Sequence, residues 1–123
     1  MSKIYYESLS NKIVDVAFYV HKKIGPGLSE FLYQKGFIAI LQRSGIAVLA
    51  NQSYHISIDD IHLGEYRVDM IVENKVVIEN KAKRSFHEND KSQLLNYLHV
   101  TGIKVGYLFN FANTRLEFKR FVL

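Results

Sequence analysis

Two apolar segments, Tyr66-Arg67-Val68-Asp69-Met70-Ile71-Val72 and Val76-Val77-Ile78-Glu79-Asn80-Lys81, are separated only by Glu73-Asn74-Lys75. So short a link between runs rich in β-branched residues reads as a hairpin, and Asn74 tolerates the left-handed backbone such turns require. Strand side chains alternate between faces. Tyr66, Val68, Met70 and Val72 therefore fall on one side and Arg67, Asp69 and Ile71 on the other. In the second segment Val76, Ile78 and Asn80 share a face, as do Val77, Glu79 and Lys81. A three-residue loop pairs Val72 with Val76 and gathers Val68, Met70, Val72, Val76 and Ile78 on one buried surface. A two-residue loop would scatter them.

That register sets Asp69 directly opposite Glu79. Side-chain roots of opposed residues lie about 5 Å apart, where two carboxylates repel by roughly 3 kcal/mol at an effective dielectric of about 20. A neighbouring cation or a bound metal relieves such a pair. Lys81 supplies one positive charge, and converging hard oxygen ligands suit Mg²⁺ or Mn²⁺.

With 123 residues, 48% of them hydrophobic, the chain is expected to form one domain over residues 1–123 with a substantial core. No apolar run approaches a membrane span, and the polar start Met1-Ser2-Lys3-Ile4-Tyr5-Tyr6 does not read as a signal peptide. Cysteine is absent, so disulfides and thiolate metal sites are excluded and a cytoplasmic setting is expected. The net charge of +4 is a mild pull toward polyanions, nucleic acid among them. The 8 Tyr and 8 Phe are read mainly as core rather than as base-stacking surfaces.

Leu9, Ile13, Val16, Ala17, Val20 and Ile24 recur at helical spacing, with Ser8 or Ser10 as an expected cap. Gly25-Pro26-Gly27 is a turn. A second helix is expected from about Leu28 to Ser44, packing Leu32, Phe37, Ile40 and Leu41 and stopping at Gly45. Residues 46 to 58 read as one bent strand or two short ones, closed by an Asp59-Asp60 turn. Glu88-Asn89-Asp90 opens a helix with the stripe Leu94, Tyr97 and Leu98, ended by Gly102. Lys104 to Asn110 and Leu116 to Val122 complete the set as strands. The order ααβββαββ specifies an α/β (α+β) fold, a mixed sheet flanked by helices, with the 76 and 104 strands parallel across a helical crossover.

An acidic residue in one strand followed by Glu-x-Lys in the next, here Asp69 and Glu79-Asn80-Lys81, resembles the PD-(D/E)XK nuclease superfamily. Val68 stands where that pattern conventionally has proline. Gly27-Leu28-Ser29-Glu30-Phe31-Leu32-Tyr33 matches the Gly-x-x-Glu-x-x-Tyr signature of a small bacterial family in that superfamily. Gln93-Leu94-Leu95-Asn96-Tyr97 resembles the Gln-x-x-x-Tyr of its exonuclease-like branches. The resemblance implies the restriction-endonuclease-like core and hydrolysis of phosphodiester bonds with Mg²⁺ or Mn²⁺, DNA rather than RNA being the expected partner. It implies that Asp69, Glu79 and the backbone carbonyl of Asn80 bind metal, with Glu30 adding a carboxylate directly or through water. Lys81 would orient or help activate the attacking water, Gln93 would steady the site or contact a phosphate, and Tyr33 and Tyr97 would support it. Lys83, Arg84 and Lys91 are candidate phosphate contacts.

Each assignment has a plainer reading. Glu79 and Lys81 also fit an exposed ion pair on an edge strand. Glu30 suits a helix's first turn whatever its function. Gln93 and Tyr97 share a helix face whether or not they act. His21, His55, His62, His87 and His99 lack the close spacing of a zinc pair, so none is assigned to metal. The rival functional reading is a catalytically silent nucleic-acid- or protein-binding module of the same fold, working inside a larger assembly. In either case so short a chain has little surface for reading sequence, so a homodimer or a protein partner would supply specificity.

Overall fold

The computed structural model describes residues 6–123; residues 1–5, most of the polar start discussed above, lie outside it. The elements run α1 (Glu7–Ile24), α2 (Glu30–Arg43), β1 (Val48–Ile58), β2 (Ile61–Val72), β3 (Val76–Lys81), α3 (Glu88–Thr101), β4 (Val105–Asn110) and β5 (Glu117–Val122), the expected order. They build a five-stranded sheet in the order β1-β2-β3-β4-β5, parallel between β3 and β4 and antiparallel elsewhere. No helix among the described residues is long and apolar enough to cross a membrane.

Helices α1 and α2 cover one face of the sheet. Ile13, Ala17, Val20, Tyr33, Phe37 and Leu41 pack there on Met70, Val72, Val76, Ile78 and the β4 aromatics. Tyr33 stacks on Phe111 at 5.0 Å, and Phe37 meets Phe109 edge-on at 5.3 Å. The α2 stripe is Tyr33, Phe37 and Leu41, four residues apart, so the expected Leu32 falls off it and is 45% exposed. Helix α3 covers the other face through Leu94, Tyr97 and Leu98, as its periodicity predicts. It approaches β4 closely because Gly106 has no side chain: a Cβ there would stand 3.0 Å from Leu94 Cδ1 and 3.1 Å from Leu98 Cδ2. Helix α1 begins earlier than its serines suggest. Ser8 and Ser10 lie inside it, and Tyr6, in left-handed backbone, takes the cap position without a side-chain hydrogen bond.

The three-residue loop holds. Val72 pairs with Val76, Ile71 with Val77 and Met70 with Ile78, with both Glu73 and Asn74 left-handed in the turn. The expected grouping of Val68 with Met70 does not hold, since Val68 packs under α3 with Ile71 and Val77. The break coincides with an irregularity in β1. Asn51 has a left-handed backbone (φ 53) opposite Asp69, and the ladder pairs Ala50 with Met70 and Gln52 with Val68 but skips the position between. Alternation breaks at Asp69, so residues on its two sides no longer share a face. One strand, β1, thus spans the region that also read as two short ones. A second irregularity shifts the β1–β2 register between Ile56 and Ser57.

Candidate active site

The β2–β3 ladder stops at Met70 and Ile78, one residue short of the acidic pair. Beyond that point β2 keeps β1 as its partner while β3 keeps β4, so the two strands part. Backbone N–H groups exposed by such a split need acceptors. The carboxylates provide them: Asn80 N–H donates to Asp69 Oδ2 at 3.1 Å and Asp69 N–H to Glu79 Oε1 at 3.4 Å. The expected juxtaposition of Asp69 and Glu79 is therefore present, and each carboxylate is oriented by the other's strand.

Lys81, the last residue of β3, meets Glu79 of its own strand and two residues of α3. Its Nζ is 3.7 Å from Glu79 Oε2, donates to Gln93 Oε1 at 3.1 Å and is 3.8 Å from Asp90 Oδ1. Gln93 in turn donates through Nε2 to the Tyr97 hydroxyl at 2.8 Å. The one-turn spacing of Gln93 and Tyr97 thus forms a chain of hydrogen bonds that ends at the lysine. Glu79 is 3% exposed, and Lys81 keeps 18% of its side chain open to solvent, so the plainer reading of an exposed edge pair fails.

Electrostatics mark the same place. Burial, the Asp69 charge and, more weakly, Glu30 push Glu79 up to about 8, despite Lys81. Burial also raises Asp69, against the pull of the Asn80 amide, Lys81 and Arg67. Glu30, in the first turn of α2, is raised by burial and by Asp69 and lowered by Lys81 and Lys83, so it belongs to the same field. Burial, Glu79 and Asp69 push the Tyr97 hydroxyl up to about 12, keeping it protonated at neutral pH. Carboxylates whose ionisation is opposed by burial and by one another are chemically matched to a divalent cation, which would favour their charged forms. The donors present are hard oxygens, the Asp69, Glu79 and Glu30 carboxylates, and this set fits Mg²⁺ or Mn²⁺. The ligand atoms of these three carboxylates do not all lie within 4.8 Å of one another.

Tyr33 supports the site from a distance. Its hydroxyl donates to Gly25 O at 2.5 Å and accepts from Leu28 N–H at 3.1 Å, pinning the turn that leads into Glu30. The candidate phosphate contacts divide. Lys83 Nζ lies 2.6 Å from both oxygens of Asp90, whereas Lys91 sits over the Phe121 ring at 5.9 Å. Arg84 is exposed, and its carbonyl accepts from Asn113 at 3.1 Å.

Three participants escaped the sequence. Asp90, expected only to cap α3, does accept from His87 N–H at 2.8 Å, but it also holds Lys83 and faces Lys81. Gln34 donates to Asp69 O at 3.5 Å and accepts from Asn80 Nδ2 at 3.1 Å. Its position four residues after Glu30, on the same helix face, was the available signal. Asn110 bonds both the amide and the carbonyl of Lys83, at 3.1 and 2.7 Å, fixing the segment after β3. Of the histidines, assigned to no metal from their spacing, His55 and His62 are exposed and lie away from this cleft. His55 and His62 meet Glu65 across the β1–β2 hairpin.

The model of the PD-(D/E)XK nuclease superfamily matches residues 7–121. The chain belongs to that superfamily. Nucleases of the PD-(D/E)XK superfamily typically use divalent metals, which agrees with the donor set found here. Among solved structures, the crystal structure of SSO0001 aligns with a TM-score of 0.64 at 23% identity, covering 95% of this chain and 59% of that one. The chain therefore spans about three fifths of the length of SSO0001. An alkaline exonuclease (LHK-Exo) from Laribacter hongkongensis aligns with a TM-score of 0.54 at 10% identity over 98% of this chain and 72% of its own. At these identities the likeness is one of fold. No curated protein matches the chain in sequence.

Proposed function

We propose that residues 1–123 act as one metal-dependent nuclease domain that hydrolyses phosphodiester bonds in DNA. The observation that carries this reading is the parting of β2 and β3 at Asp69 and Glu79, whose carboxylates bridge the gap beside Lys81. The Gly27-to-Tyr33 signature further supports membership of the small Gly-x-x-Glu-x-x-Tyr family, because Tyr33 anchors the turn before Glu30.

Asp69, Glu79 and the Asn80 backbone carbonyl would hold Mg²⁺ or Mn²⁺, with Glu30 joining directly or through water. The ion, when bound, polarises a phosphoryl oxygen and makes water a better nucleophile at neutral pH. Lys81 presents its ammonium where water and the attacked phosphate meet, offsetting charge that develops in the transition state. Gln93 fixes that ammonium, Tyr97 fixes Gln93, and Asp90 holds Lys83 beside them. No side-chain nucleophile is needed.

The test is incubation of purified protein with Mg²⁺ or Mn²⁺ and single-stranded, double-stranded and branched DNA, with RNA in parallel. Cleavage of DNA that disappears in Lys81→Ala and Asp69→Asn is expected. Cleavage of no substrate, or equal cleavage by Lys81→Ala, overturns the reading; salt-sensitive DNA binding without turnover would then favour the silent module.

A further inference from the structure

The outer end of the β1–β2 hairpin holds a second convergence of metal-ligating groups, built by an irregularity in the sheet. His55 pairs with Glu65 in the ladder, and its Nδ1 lies 3.3 Å from Glu65 Oε1. Continued without interruption, that register would set His62 opposite Ile58, on the face away from His55. The register instead shifts. Ile56 pairs with Gly64 and Ser57 with His62, so Leu63 is the extra residue. A bulge re-aims side chains, and this one turns His62 onto the face of His55 and Glu65, with the two imidazole centroids 5.4 Å apart. The ligand atoms of all three residues lie within 4.8 Å of one another, and no other such group of three occurs among the described residues.

Two ligands about 2.1 Å from a tetrahedral zinc ion are about 3.4 Å apart. The His55–Glu65 separation of 3.3 Å already has that value. Two imidazoles and a carboxylate are a zinc-type donor set, unlike the all-oxygen set of the acidic cleft. All three residues are exposed, which lets an ion enter from solvent and leaves a coordination position for water. We infer that His55, His62 and Glu65 form a Zn²⁺ site, separate from the nuclease cleft, that cross-links β1 to β2 near the hairpin tip.

The experiment is calorimetric titration of Zn²⁺ into the Asp69→Asn protein, which removes a carboxylate from the cleft so that the ion reports on the hairpin. One ion per chain is expected, weakened by about tenfold or more in Asp69→Asn carrying His62→Ala or Glu65→Gln. Zn²⁺ should also slow amide exchange across residues 54–66 in the first protein and not in the doubly substituted ones. His62 and Glu65 are exposed, so these replacements leave the core intact. Absence of Zn²⁺ uptake, or equal affinity after both replacements, overturns the site and leaves only a His55–Glu65 contact. Neither outcome bears on DNA cleavage, so this inference and the nuclease reading fail separately.

Discussion

Replacing Asp69 with asparagine should make the metal-free protein less sensitive to rising pH and remove its response to Mn²⁺. Glu79 has an ordinary value of 4.5 and is pushed up to about 8 in the folded protein, so the native state keeps a proton that the unfolded chain releases. The sign follows from linkage. The stabilisation is complete below the unfolded value and is lost as pH climbs through the folded one, at about 1.4 kcal/mol per pH unit for one proton. From about pH 5 to about pH 8 this amounts to roughly 4 kcal/mol. Asp69 and Glu30 are raised as well, by burial first. Asparagine at position 69 retains an oxygen to accept the Asn80 N–H while removing the charge that opposes ionisation of Glu79. A like charge about 5 Å away is worth at most roughly 3 kcal/mol at an effective dielectric of about 20. That bounds the gain at high pH; burial, the larger cause, remains. The assay is urea unfolding across this pH range in EDTA and again with Mn²⁺. Mn²⁺ at a hundredfold over its Kd should add about 2.7 kcal/mol to the native protein and much less to Asp69→Asn. Stability that does not change with pH in EDTA, or an equal gain from Mn²⁺ in both proteins, would refute this reasoning.

Other substitutions test the surrounding structure. Gly106→Ala should cost about 1–3 kcal/mol in thermal or urea unfolding, because the new methyl meets Leu94 and Leu98. It should also lower DNA cleavage by displacing the helix that carries Gln93; unchanged stability would contradict the close approach. Tyr33→Phe leaves the Gly25 carbonyl and Leu28 N–H without the hydroxyl, so a loss of about 1 kcal/mol is expected together with slower cleavage. Asp90→Asn should destabilise by about 2 kcal/mol near neutral pH by weakening the hold on Lys83 and the His87 N–H. Burial alone would raise Asp90, but its Lys83 and His87 bonds bring it below 3.8. Its contribution is therefore present above 3.8 and lost as pH falls through the lowered value, so native and variant unfolding curves should converge in acid.

Periodicity and turn chemistry by themselves determined a good part of this protein. The loop length between Val72 and Val76 follows from which residues must be buried together, and with it the nearness of Asp69 to Glu79. One helical turn places Gln93 beside Tyr97, and the stripe Leu94, Tyr97 and Leu98 fixes which side of α3 meets the sheet. These are properties of pitch and pleat, which repeat with the sequence. Tertiary structure decided the rest, since the distance between elements is set by packing, which leaves no periodic trace. It brought Gln93 and Asp90 to Lys81, Gln34 to Asn80, and Asn110 to the segment after β3. It also broke the regular pattern twice. Opposite the left-handed Asn51, alternation in β2 fails at Asp69 and Val68 joins the other core, and the shift at Ile56 turns His62 toward His55, because an interrupted ladder no longer obeys alternation.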